Sequence, residues 1–396
     1  MRTITGLERL ISETDLQKTI KGNIGYLSHS ASVTAQFTNG VVELKKVFGK
    51  RLTKLFGPQH GFVTDVQDNM IETKHFVHPY FQIPVYSLYS ETRIPTDEML
   101  EGLDTLIVDL QDVGTRVYTY ISTLTLILEK CHKRAIEIVV LDRPNPVGGE
   151  IIEGNVLEEK FQSFVGKLLI PQRHAMTMGE VGHFAMKIKN LDLPYRTITM
   201  KNWKRNQFFK DTGLPWVNPS PNLPTMEGAI TFVGTVLFEG TNISEARGTT
   251  RSLEMAGHPK IEAFEFTDHM NNLLREHHLQ DGLIFRPQVF FPMFQKFAGS
   301  PCGGVHMHVV NEQLARPWVA TQLLCREFYH RLGNDFKWND KPYEYEHNRL
   351  AIDLINGTSD VRIWCEQNRS FDELQNIGKR GHEEFLTIKK SIELYS

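Results

Sequence analysis

Glu91, Asp109, Asp112, Arg143 and the pair Gln59-His60 each follow closely on an apolar run, which offers carboxylates for acid and base work beside cations for holding an anion. Leu52 to Gly57 runs into Pro58-Gln59-His60, and Val85 to Tyr89 runs into Ser90-Glu91-Thr92-Arg93. Thr105 to Val108 runs into Asp109-Leu110-Gln111-Asp112, and Ile138 to Leu141 into Asp142-Arg143-Pro144-Asn145. In an open parallel α/β sheet, ligands bind outside the carboxyl ends of the strands. The four clusters are therefore expected to converge on one pocket.

Each residue type suggests a role and has a plainer alternative. Glu91, at a strand end among aromatics, suits a general acid raised by desolvation, or else a surface glutamate paired with Arg93. Asp109 and Asp112 share a strand-to-helix turn with Arg116, so one could be a second carboxylate and the other a cap or an ion-pair partner. Prolines around Arg143 and Asn145 fix the backbone and would preorganise both for ligand contact. His306 and His308 share a strand face, but no third metal ligand follows from spacing, so His60 and His174 are taken as hydrogen-bond donors to a polar ligand and no metal is expected. No phosphate-cradling glycine motif and no G-x-S-x-G elbow occurs, so no nucleotide cofactor is expected. Further along, Glu239, Asn242, Glu245, Arg247 and Arg251 form a dense polar segment which, with Trp216, suits recognition of sugar hydroxyls or a self-paired loop.

The elements that must position these groups alternate regularly. Strands are expected near 23–27, 51–57, 85–89, 105–110 and 137–141, with helices over 40–50 and 120–133 and one opened by Thr96 as N-cap. That alternation predicts an α/β fold with a Rossmann-like, mostly parallel sheet. Beyond the Gly257-His258-Pro259 break, helix-like stretches at 261–277 and 317–332 and a strand at 304–310 predict a smaller α+β domain. The expected division is a catalytic domain over 1–255 and a domain closing the cleft over 256–396.

Composition narrows the function classes. The 396 residues are 40% hydrophobic and 23% charged, enough for about two domains with their own cores. A net charge of -3 gives no basic field for nucleic acid, and no run approaches the roughly 18 apolar residues of a membrane span. Cys131, Cys302, Cys325 and Cys365 lack metal or disulfide spacing and are expected to be buried thiols. With no signal-like amino terminus, the chain reads as cytoplasmic.

At these same segments the chain resembles the NamZ-type exo-β-N-acetylmuramidases, glycoside hydrolase family 171, formerly a domain of unknown function. The likeness rests on Phe56 to Gly61, Tyr86 to Arg93, Asp109 to Tyr120, Leu141 to Pro146, Trp216 to Pro224 and Glu239 to Glu245, in that order. It implies a glycosidase that removes N-acetylmuramic acid from the non-reducing end of peptidoglycan fragments, with no cofactor and a peptidoglycan-derived oligosaccharide as partner. Glu91 matches the family's apparent catalytic glutamate, with Asp112 and His60 as its expected catalytic companions. Gln59, Asp109, Arg116, Tyr118, Arg143, Asn145, Asn222, Glu239, Asn242, Glu245, Arg247 and Arg251, together with His174, are expected to bind substrate. One of Arg116, Arg143, Arg247 and Arg251 would take the lactyl carboxylate. The chain departs from the family at Gln59, where members carry Glu, and at Ala175 and Ala246, where they carry Gly. It departs also at His29-Ser30 for Asn-Pro and Ser252-Leu253-Glu254 for Pro-Phe-Glu. A binding protein for cell-wall fragments, or a hydrolase of another acidic amino sugar, is the alternative.

Overall fold

The computed structural model describes residues 1–67 and 71–396. The apolar runs become β1 (Ile24–Ser28), β2 (Leu52–Gly57), β4 (Pro84–Ser87), β5 (Thr105–Asp109) and β6 (Glu137–Leu141), joined by β3 (Phe76–Val77) and β7 (Tyr195–Ile198). They form one sheet of order β3-β4-β2-β1-β5-β6-β7. Only the β3–β4 pairing is antiparallel among these neighbours. β1 and β5 are buried at every position, as central strands covered on both faces must be. The helix Tyr120–Cys131 is buried almost all round against this sheet. Thr96 caps a single helical turn, Asp97–Leu100, accepting from the Met99 amide at 3.3 Å.

The second, smaller sheet is antiparallel, with β8 (Met255–His258), β9 (Leu283–Phe290) and β10 (Cys302–Val309) in the order β8-β10-β9. It is flanked by the helix Ala263–Glu276. The helix Met226–Thr235 lies against the helix Pro317–Leu332 at Gly234, where a Cβ would come within 2.2 Å of the Pro317 carbonyl. Only glycine permits that approach. One apolar cluster runs through both halves, from Leu27 and Phe56 to Trp364 and Phe385, so the halves share a core. All four cysteines are buried and free. Among the described residues no helix is long and apolar enough to cross a membrane.

The carboxyl terminus returns to the first sheet. Tyr395 donates to Asp142 at 2.5 Å, joining Thr177 (2.8 Å) and the Gly179 amide (2.9 Å) around that carboxylate. Burial outweighs these donors and pushes Asp142 up to about 7. A carboxyl raised on folding binds more protons in the folded state between its unfolded value and about 7, so stability falls as pH rises through that window. Asp142→Asn is expected to flatten stability between about pH 4 and 7. Thermal midpoints across that range check it, and an unchanged slope would contradict the assignment.

Candidate active site

β1 connects toward β2 on one side and β5 toward β6 on the other, so the topological switch point lies between β1 and β5. The chain fills that crevice with its own side chains. Arg143 grips Asp109 through Nε (2.5 Å) and Nη2 (3.0 Å), and Tyr26 donates to the same carboxylate at 2.7 Å. Asp109 is fully buried, and the remaining guanidinium donors reach the Val33 carbonyl at 3.1 Å. His29 accepts from the Gln111 amide at 3.0 Å, while Tyr118 and Tyr120 both donate to the Pro219 carbonyl.

Several residues expected to bind substrate are thus framework. Asp109 and Arg143 neutralise each other in the core. Arg116, with no exposed surface, donates to the carbonyls of Asn155 (2.9 Å), Ile170 (2.9 Å) and Ile355 (2.8 Å), tying the two halves together. Asn145 closes a turn, accepting from the Val147 amide and donating to the Met176 carbonyl. Asp112 accepts from the Gly114 amide at 2.7 Å and stands 3.5 Å from His174, whose other ring nitrogen accepts from the Met176 amide. Asp112 is buried within the turn after β5 and His174 is buried against that turn, and both are absent from the lining of the pocket. The expected single convergence of four strand ends is corrected in this respect: the ends of β5 and β6 satisfy each other.

The pocket lies one step away, between the end of β2 and the second half. It is lined by Gln59, His60, Tyr118, Thr119, Ser220, Glu239, Arg247, Tyr343 and Glu344, with an apolar wall that includes Val165, Leu223 and Phe232. Thr119 donates to the Gln59 carbonyl, which turns the Gln59 amide toward Glu344 at 3.0 Å. Tyr89 donates to the other Glu344 oxygen at 2.7 Å. Burial raises Glu344, with Glu239 adding to the rise and Tyr89 and Gln59 opposing it. Glu239 is held by Arg247 and by Tyr343 at 2.5 Å. Burial pushes the His60 imidazole down to about 4, so the ring is neutral at physiological pH, with Nδ1 turned to the Val66 carbonyl at 2.8 Å.

Strained backbone marks the same place. His60 has φ 70°, and Glu344 and Tyr345 have φ 45° and 68° at the centre of a tight turn closed by Tyr343 and Glu346. Such two-residue turns favour Asn and Gly, and each non-glycine residue there costs about 1–3 kcal/mol. Ala175 and Ala246 also sit at positive φ, 55° and 61°, where glycine would be at ease.

The remaining expected residues are not among those that line this pocket. Glu245 lies beside it, and although burial alone would raise its carboxyl, Lys296 (2.7 Å) and Arg247 (3.1 Å) hold it low. Asn222 is buried and donates to the Gln67 carbonyl at 2.7 Å. Asn242 bonds the Asp335 carbonyl (2.8 Å) and the Lys337 amide (2.9 Å), and Arg251 pairs with Glu254 at 3.2 Å, so both serve the fold of the second half. Glu91 is exposed and makes no hydrogen bond or ion pair with the described residues. The expected pairing with Arg93 is absent too, because Arg93 stacks 3.5 Å from the Tyr345 ring and donates to the Ser90 carbonyl. The chain itself does not desolvate Glu91, so a bound ligand would have to do so. Tyr89, Tyr343 and Glu344 were not foreseen as site residues: Glu344 meets Gln59 across 285 positions of sequence.

Comparison with known proteins extends over the whole chain. The family models described as exo-beta-N-acetylmuramidase NamZ, N-terminal and C-terminal, match residues 24–227 and 230–395. The peptidoglycan beta-N-acetylmuramidase NamZ of Bacillus subtilis (strain 168) is 37% identical over 393 residues, covering 99% of this chain and 91% of that protein. A DUF1343 family protein of Bacteroides fragilis superposes with a TM-score of 0.87 at 29% identity, covering 100% of this chain and 99% of its own. A second protein of that family and organism gives 0.77 at 25% identity over the same shares.

Proposed function

Since the chain belongs to the NamZ exo-β-N-acetylmuramidase family, we propose that it is a glycosidase releasing N-acetylmuramic acid from the non-reducing end of peptidoglycan-derived fragments. One observation carries the reading: a pocket between the two halves holds Glu239 and Glu344 beside Arg247 and a neutral His60. Glycoside hydrolysis needs two carboxyl groups about the scissile bond, one giving a proton to the leaving oxygen and one acting on the opposite face. Glu91 is assigned to acid/base work from the turn after β4. Its neighbour Arg93 stacks on Tyr345, next in sequence to Glu344, so the Glu91 turn borders the pocket.

Arg247 is the arginine suited to the lactyl carboxylate. Although its Nε and Nη2 are engaged by Glu245 and Glu239, it lines the pocket, whereas Arg116 and Arg143 do not and are spent on the framework. Arg247→Lys is expected to raise KM for an N-acetylmuraminide by about 10- to 100-fold, the worth of one charge-assisted hydrogen bond. KM for the matching N-acetylglucosaminide, which lacks the lactyl group, should change little. An equal rise for both would assign Arg247 to positioning Glu239 alone.

The reading itself is tested with a chromogenic β-N-acetylmuraminide. Release of the chromophore by the purified protein is expected, and tight binding without release would make the chain a fragment-binding protein instead.

A further inference from the structure

We propose that Glu344 is the second carboxyl group of the reaction, the one that carries the proton to the departing glycosidic oxygen. This deepens the glycosidase reading and rests on it. A tight turn with two non-glycine residues at positive φ drives Glu344 into the pocket from the second half. There it meets Gln59 and Tyr89, both from the first half, at 3.0 and 2.7 Å. A surface glutamate would not justify so constrained a turn, and strain of this kind gathers where geometry serves function.

The charged and titratable groups around it are Glu239, Arg93, Tyr89, Tyr343 and Tyr345, with Arg247 and His60 across the pocket. Arg247 and Tyr343 are occupied by Glu239, and Arg93 by its ring stacks. Among the described residues no cation forms an ion pair with Glu344, and although the Arg93 charge opposes it, burial favours the protonated form. In the proposed step the Glu344 proton passes to the glycosidic oxygen as the bond from that oxygen to the anomeric carbon breaks, its electron pair staying on the oxygen. Water adds to the anomeric carbon and gives its proton to Glu91, and solvent exchange restores both carboxyl groups.

Two variants test this on the intact chain with the chromogenic muraminide. Glu344→Gln is expected to lower kcat by about 10²- to 10⁴-fold with KM little changed, and to remove the alkaline limb of the kcat profile. Gln59→Glu is the finer probe. It keeps the acceptor used by Thr119 but replaces the amide donor facing Glu344 with a like charge. The proton on Glu344 should then be held more tightly, moving the alkaline limb of kcat/KM upward by about one pH unit or more. Should Glu344→Gln fail to fold, that limb decides the matter. A Glu344→Gln protein that turns over within tenfold of wild type, or an alkaline limb unmoved in Gln59→Glu, would overturn the assignment while leaving the glycosidase reading intact. A wild-type protein inert toward the muraminide would overturn both.

Discussion

Glu91→Gln is expected to lower kcat/KM on an N-acetylmuraminide by about 10²- to 10⁴-fold, the usual contribution of a positioned acid or base. The same substitution should leave stability within about 0.5 kcal/mol, because an exposed side chain with no hydrogen bond or ion pair to the described residues has little to lose. That separation is the point of the test. In the free protein Glu91 stands in water beside the Arg93–Tyr345 stack. Its chemistry depends on the sugar that covers it, and catalytic contacts commonly tighten only in the complex. Unaltered turnover in Glu91→Gln would remove the residue from the mechanism.

The largest effect on stability is expected from Asp109→Ala. The substitution leaves the Arg143 guanidinium buried with only the Val33 carbonyl, and strands the Tyr26 hydroxyl. Breaking one side of a buried ion pair costs about 3–5 kcal/mol, whereas replacing both partners by apolar residues can be nearly neutral. Asp109→Ala should therefore shift the urea midpoint strongly, and Asp109→Leu combined with Arg143→Met should recover most of the loss. A loss below about 1 kcal/mol for the single variant would mean that water reaches the pair.

These two residues show how far sequence carries the account. The central strands were legible because burial on both faces leaves unbroken apolar runs, as in β1 and β5. β7 and β9 were not, since β7 is mostly half-buried and β9 mixes buried and exposed positions around Arg286 and Pro287. The strand ends carried ionisable residues as expected, yet their pairing depends on register. Val108 lies opposite Val140, which sets Asp109 level with the end of β6 and within reach of Arg143, and the pair closes on itself. Gln59, His60, Tyr118, Glu239 and Arg247 do share a pocket, whereas Glu344 gave no local signal. Its neighbours Tyr343 and Tyr345 belong to no apolar run, and its partners come from the other end of the chain.

The central claim is that this pocket cleaves muramic acid from the non-reducing end of a saccharide. Its most direct measurement is mass-spectrometric analysis of a β-linked N-acetylmuramyl-N-acetylglucosamine disaccharide after incubation with the protein, beside the same sugars joined in the reverse order. Free N-acetylmuramic acid from the first and an intact second disaccharide are the results expected. An intact first disaccharide, or equal cleavage of the two, would contradict the account.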